Sequence, residues 1–196
     1  HLKEIGMLHA RHGTGTFVAP STEYKRNIAV IDWGDSIFRK FERNYSFISY
    51  VDFKDAEPRS YVTPELLDRY CLPKMKDDTI VILDSPYRIP PFTEKTNTAE
   101  DQRLRVSEET AVWLRDHKAK CIGFGDGVSV ESSNEDIKPF HDVLLAENIT
   151  FLEVLKNLDR LESDVFFMSY APLPIMGLDS CPVRAYAIEG LPGFTG

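Results

Sequence analysis

The sequence predicts a single mixed α/β domain over residues 1–196. Three observations predict it. Short continuous apolar runs, TIVIL at 79–83 and KCIGF at 120–124, have the composition of strands buried on both faces. Helical segments with their own start signals lie between them. Both ends of the chain are strand-rich instead, so the order of elements is mixed rather than simply doubly wound. With 196 residues, 42% of them hydrophobic, the chain is long enough to bury a core without disulfide or metal staples.

Residues 2–24 read as a strand entering a loop, with His9 and His12 ahead of Gly13-Thr14-Gly15-Thr16. IAVIDW at 28–33 is a short strand and 36–43 a short amphipathic helix. YSFISYVDF at 45–53 alternates aromatic or β-branched residues with small polar ones, which is strand patterning. Thr63-Pro64-Glu65 opens a helix, with Thr as cap, Pro in the first turn and Glu at the positive end of the dipole. That helix reaches about Tyr70 and stops before Pro73. Asp77-Asp78 is a turn.

Residues 84–102, rich in Pro, Thr and charge, form the longest loop-like stretch and are the expected lid or partner contact. Ser107-Glu108-Glu109 caps a helix running to His117. The strand at 120–124 ends in Gly123-Phe124-Gly125-Asp126-Gly127, a sharp turn at a strand's C-terminal end, where α/β sheets commonly hold ligands. A helix at 139–147, a strand at 150–154, a helical turn within 155–161 and a strand at 164–170 follow. Pro172-Leu173-Pro174 breaks the chain, and 182–188 is a last strand.

The net charge of −8 argues against nucleic acid or an anionic membrane as partner. Cys71, Cys121 and Cys181 form no CxxC pair and read as reduced thiols, which makes the cytoplasm the expected location. No apolar run approaches the roughly 20 residues that cross a bilayer. No signal-peptide pattern is present, and a start at His1 without Met points to a trimmed or tagged N-terminus.

His141 and Glu153 are the leading chemical pair, an imidazole near a helix start and a carboxylate on the next strand. Such a pair suits a divalent metal such as Zn or Mn, or a general base held by an acid. The plainer alternative is a core histidine beside an exposed glutamate. His9 and His12 are second candidates as metal ligands, with two surface histidines as the alternative. Asp126 either binds substrate or satisfies turn backbone. Cys121, inside an apolar strand, reads as an inert core thiol. Neither a phosphate-binding GK[ST] loop nor a Gly-x-Ser-x-Gly elbow occurs.

Two segments carry a resemblance: PFHDVLLAENITFLEVLKNLDRL at 139–161 and APLPIMGLDSCPVRAYAI at 171–188. They supply a P-x-H-x-x-LL helix, a glutamate on the following strand, an N-L segment and a late G-x-D-x-x-P-x-R-A strand. With these the chain resembles the cyclase family of metal-dependent hydrolases, which includes bacterial kynurenine formamidase and isatin hydrolase. The likeness runs from about Leu8 to Ile188. It implies a mixed α/β domain of the swivelling β/β/α type, a homodimer and hydrolysis of a linear or cyclic amide by metal-activated water.

The family's ligand loop, H-x-G-T-H-x-D-x-P-x-H, is altered here to RHGTGTFVAPSTEY. Aligned on Gly15-Thr16, the ligand positions hold Gly13, Phe17 and Ala19. Aligned on Pro20 they hold His12, Thr16 and Val18. Carbon side chains offer a metal no lone pair. The resemblance therefore implies His12, His141 and Glu153 as what remains of a Zn or Mn site, or no metal at all. Phe17, Phe124, Asp126 and Phe140 are the expected substrate-binding residues for a small-molecule partner. Two functions stay open: hydrolysis of a small amide or cyclic amide, and a metal-free relative that binds a small ligand or performs cyclisation or elimination.

Overall fold

A computed structural model of the chain describes residues 8–11, 15–18, 45–76, 79–89, 96, 98–131, 135–173 and 180–189. The expected strand at 28–33, helix at 36–43 and turn at 77–78 lie outside them. The chain groups into two compact units, His1–Phe38 and Arg39–Gly196. In the first, β1 (Leu8–Arg11) pairs antiparallel with β2 (Gly15–Val18), and Phe17 stands opposite His9.

The second unit is built on a six-stranded sheet. Its strands are β3 (Tyr45–Asp52), β4 (Ile80–Asp84), β6 (Cys121–Gly125), β8 (Thr150–Leu155), β9 (Val165–Pro172) and β10 (Val183–Ile188), in the order β10-β9-β3-β4-β6-β8. Strands β3, β4, β6 and β8 are mutually parallel, and β9 is antiparallel to both its neighbours, β3 and β10. The connections between parallel strands carry α1 (Pro64–Tyr70), α2 (Glu108–Asp116) and α3 (Ile137–Ala146). All three helices contribute to one apolar cluster with Val81, Leu83, Ile122 and Phe124. Alternate residues Ile80, Ile82 and Cys121 face a second cluster with Leu152, Phe166, Met168 and Tyr170. The period-2 alternation of a strand sorts the two layers, and β4, buried at every position, is the central strand its unbroken apolar run predicts.

Local chemistry sets the helix ends. Thr63 Oγ1 accepts from Leu66 N at 3.4 Å, with Pro64 and Glu65 in the first turn. At α2, Ser107 N donates to Thr110 Oγ1 at 3.0 Å while Thr110 N donates to Ser107 Oγ at 3.5 Å, a capping box with threonine as its second member. Trp113 Nε1 donates to Asp68 Oδ1 at 2.8 Å and ties α2 to α1.

Some sequence-based boundaries shift. Helix α3 begins at Ile137, two residues before the expected start. Pro139 is tolerated because the first helical N–H groups need no intrahelical acceptor. Asp136 precedes it without capping, its carboxylate accepting instead from Tyr61 Oη at 2.5 Å. Helix α1 ends at Tyr70 as expected, and Pro73 lies in a separate 3-10 turn at Leu72–Lys74. Strand β9 continues through Pro172, which pairs with Val183 at the ladder's end. Two short strands, β5 (Leu104–Arg105) and β7 (Val128–Ser129), form a small parallel ladder that a two-residue pattern does not announce.

Candidate functional site

A cleft of about 560 Å³ opens beside the C-terminal ends of β6 and β8. Its walls include Gly125 at the end of β6 with Asp126 after it, Glu153 and Val154 of β8 with Lys156 just beyond, and Arg103 with Glu131 from the flanking segments. Parallel strands end here, and this is the crevice in which open α/β sheets place ligands.

Packed against Gly125 is Asp84, the last residue of β4, whose side chain is 1% exposed. Its Oδ1 accepts from Ser85 N and Gly127 N, each at 2.9 Å, and its Oδ2 accepts from Arg88 Nη2 at 2.9 Å. Burial pushes the Asp84 carboxyl above the usual aspartate range, while Arg88 and the two backbone donors pull it back. Asp52, its register partner on β3, adds a smaller upward push. The carboxylate needs the space over Gly125: a Cβ there would stand 2.3 Å from Asp84 Cγ.

His141 is the fifth residue of α3, in mid-helix rather than near its start. Nδ1 lies 2.8 Å from Ile137 O and Nε2 lies 3.2 Å from Glu153 Oε1. Both neighbours are acceptors, so the ring satisfies both only when it carries two protons. The Glu153 hydrogen bond holds the His141 imidazolium pKa above the ordinary histidine value, against the opposing pull of partial burial. Phe151 packs edge-on to the imidazole with centroids 4.5 Å apart. Glu153 lines the cleft, with His141 behind it at 23% side-chain exposure.

Asp126 also lines the cleft, and both its oxygens accept from Lys156 Nζ at 2.5 Å. Phe124 and Phe140 are fully buried. Their rings meet each other and Phe151 in the core, because β6 and α3 turn them inward, and this places them behind the pair. Phe17 belongs to β2 in the first unit, and His12 lies outside the described residues. Cys121 is buried, its thiol pushed up to about 11 by desolvation, as an inert core thiol should be.

Asp84, Arg103, Glu131, Val154 and Lys156 were not singled out by sequence reasoning. Arg103 donates from Nε and Nη2 to Asp101 at 2.9 and 2.8 Å, and its Nη2 lies 2.6 Å from Glu131 Oε1. The available signal was an aspartate closing a buried strand, to be matched with a Gly-x-Gly turn closing the next one.

Among the described residues no group of three or more His, Cys, Asp and Glu side chains could hold a metal ion. His141 and Glu153 supply two donors, each turned toward the other, where a protein zinc site takes three or four. The described residues alone therefore do not fit the metal that the resemblance implies.

No family model matches the chain, and no curated protein matches it in sequence. Solved structures do match in fold. An isatin hydrolase bound to the product analogue thioisatinate aligns with TM-score 0.61 and 21% identity, over 74% of this chain and 60% of that one. A potential metal-dependent hydrolase with cyclase activity aligns at 0.57 and 19%, over 80% and 72%. A predicted metal-dependent hydrolase from Bacillus stearothermophilus aligns at 0.54 and 19%, over 74% and 63%. The chain thus spans less than two-thirds of the isatin hydrolase and of the Bacillus protein. The chain shares its mixed α/β fold with these solved structures.

Proposed function

We propose that the protein is a hydrolase that cleaves the C–N bond of a small amide or cyclic amide in the cleft beside Glu153. The observation that carries this reading is the His141–Glu153 pair, with its carboxylate on the cleft and its imidazole behind. Amide hydrolysis needs a base to deprotonate the attacking water and an acid to protonate the leaving nitrogen. Glu153 takes the proton as the water oxygen bonds to the carbonyl carbon, and returns it to nitrogen as the C–N bond breaks. His141, anchored by Ile137 O, holds the carboxylate in place through its Nε2–H. Lys156, held by Asp126, puts a cation on the same wall for the developing oxyanion.

A divalent metal would polarise the carbonyl and lower the pKa of water. No step here is routed through one, because the described residues do not complete its site. We also propose a homodimer, with 84–102 as the contact segment. A second reading, a metal-free relative that binds a small ligand without hydrolysing it, is favoured by Phe17 and Ala19 (or Thr16 and Val18) at the loop's ligand positions.

The test is turnover of isatin and of an N-formyl anilide, with and without added Zn or Mn. The expected outcome is hydrolysis of at least one, reduced about 10²-fold or more by Glu153→Gln. A wild-type protein inert on both under every condition removes the hydrolase reading and leaves the binding one.

A further inference from the structure

Strand β8 breaks its own alternation at Val154. Its register opposite β6 shifts, with Leu152 facing Gly123 but Leu155 facing Gly125. Glu153 and Val154 therefore share the place opposite Phe124, and the extra residue is a β-bulge. Val154 takes up the bend at φ 57°, in the left-handed region. A β-branched side chain there is a true outlier, held only where the surroundings dictate it. The surroundings are visible on both sides. Leu152 belongs to the second core cluster, and Leu155 packs against that same cluster. Leu155 fills the space left by Gly123, where a Cβ would stand 3.1 Å from Leu155 Cδ1 and 2.8 Å from Ile82 Cγ1.

The bulge thus keeps both leucines in the core and turns two consecutive residues outward. Both of those residues line the cleft. Val154 is 53% exposed. Its backbone conformation favours Gly or Asn, and its exposure favours a polar side chain. Fold stability therefore gains nothing from valine at this point on either count. What valine adds is an isopropyl group beside Glu153, across a cleft that also presents Ile89 and Val130.

We infer that Val154 is the specificity-determining residue of the cleft, its isopropyl group forming the apolar wall against which a small, flat, uncharged amide packs beside Glu153. The choice of an amide rests on the proposed function, whereas the packing role does not. Strained backbone here fixes a contact surface, as bulges beside ligand sites commonly do.

The test compares wild type with Val154→Ala, Val154→Gly and Val154→Ile. Turnover of isatin is measured, together with isatin binding by calorimetry. Val154→Ala and Val154→Gly are expected to raise KM and Kd about 3- to 10-fold, in line with the loss of two partly buried methyl groups in the first and of the whole side chain in the second. The kcat stays within about two-fold of wild type, and Val154→Ile keeps KM near the wild-type value. Val154→Gly is expected to melt at the same or a higher temperature, which separates a contact role from a folding role. Unchanged KM and Kd in the Ala and Gly variants overturn the inference. If wild type binds isatin without hydrolysing it, the inference is decided by Kd alone. If wild type neither binds nor turns over isatin, the inference falls, while the hydrolase reading is decided by turnover of the N-formyl anilide.

Discussion

Protonation at His141 and Asp84 runs against the usual expectation for each in a different way. His141 has a folded pKa raised above its ordinary value near 6.5, chiefly by the Glu153 hydrogen bond. A raised pKa gives stability that is complete below the unfolded value and lost as pH rises through the folded one. Glu153→Gln is therefore expected to cost stability at pH 6 and nothing at pH 9, as read by urea unfolding at both. Because Glu153 is 45% exposed, the gap should stay under about 1 kcal/mol. Asp84 is a carboxylate whose pKa is also raised, with desolvation the leading cause. Its contribution is present below the unfolded aspartate value near 4 and falls as pH rises through the folded one. Asp84→Asn keeps an acceptor for Ser85 N and Gly127 N. Relative to wild type it is expected to gain stability between pH 3 and pH 7, measured by denaturant unfolding across that range. An opposite slope would mean that Arg88 outweighs burial at this carboxylate.

Elements place these residues, and some of the elements were readable. The starts of α1 and α2 followed from Thr63-Pro64-Glu65 and Ser107-Glu108-Glu109, because a cap is a local contract between a side chain and nearby N–H groups. The buried strands followed from apolar runs. The start of α3 did not, since Asp136 spends its carboxylate on Tyr61, a partner remote in sequence. The β8 bulge did not either: nothing in Leu152-Glu153-Val154-Leu155 says that one residue is unpaired, because the decision belongs to Gly123 and the core behind it. His141 and Glu153 were legible as a pair, but Asp84 and Arg103 were not, as their partners stand on other elements. The β6 turn offers a direct test at this scale. Gly125→Ala would set a methyl group 2.3 Å from Asp84 Cγ, so strand or carboxylate must move. The expected loss is about 1–3 kcal/mol, the range for overpacking a tight site, read as a lowered thermal midpoint. It should shrink in the double variant with Asp84→Ala, where the clash is gone.

At the scale of the second unit, the cleft has walls from β6, from β8 and from the segment that leads into β5. These walls approach one another only when the sheet is formed, so a ligand that touches all of them binds the folded state and not the unfolded chain. Binding must then stabilise the fold by mass action, by about 2.7 kcal/mol at a ligand concentration 100-fold above Kd. The same core that holds the walls also backs the His141–Glu153 pair: Phe140, fully buried, meets the His141 ring at a centroid distance of 5.7 Å. Phe140→Ala removes a buried ring and should cost about 3–5 kcal/mol. It should also loosen the imidazole that it supports, so activity should fall even at temperatures where the variant remains folded. The two effects separate in one experiment. Unfolding is followed with and without isatin at 100-fold its wild-type Kd, and turnover is measured well below the variant's midpoint. A Phe140→Ala protein that regains its folded population with ligand, yet still turns over slowly, places the core in the site's geometry as well as in its stability. Full turnover once refolded would confine Phe140 to stability alone.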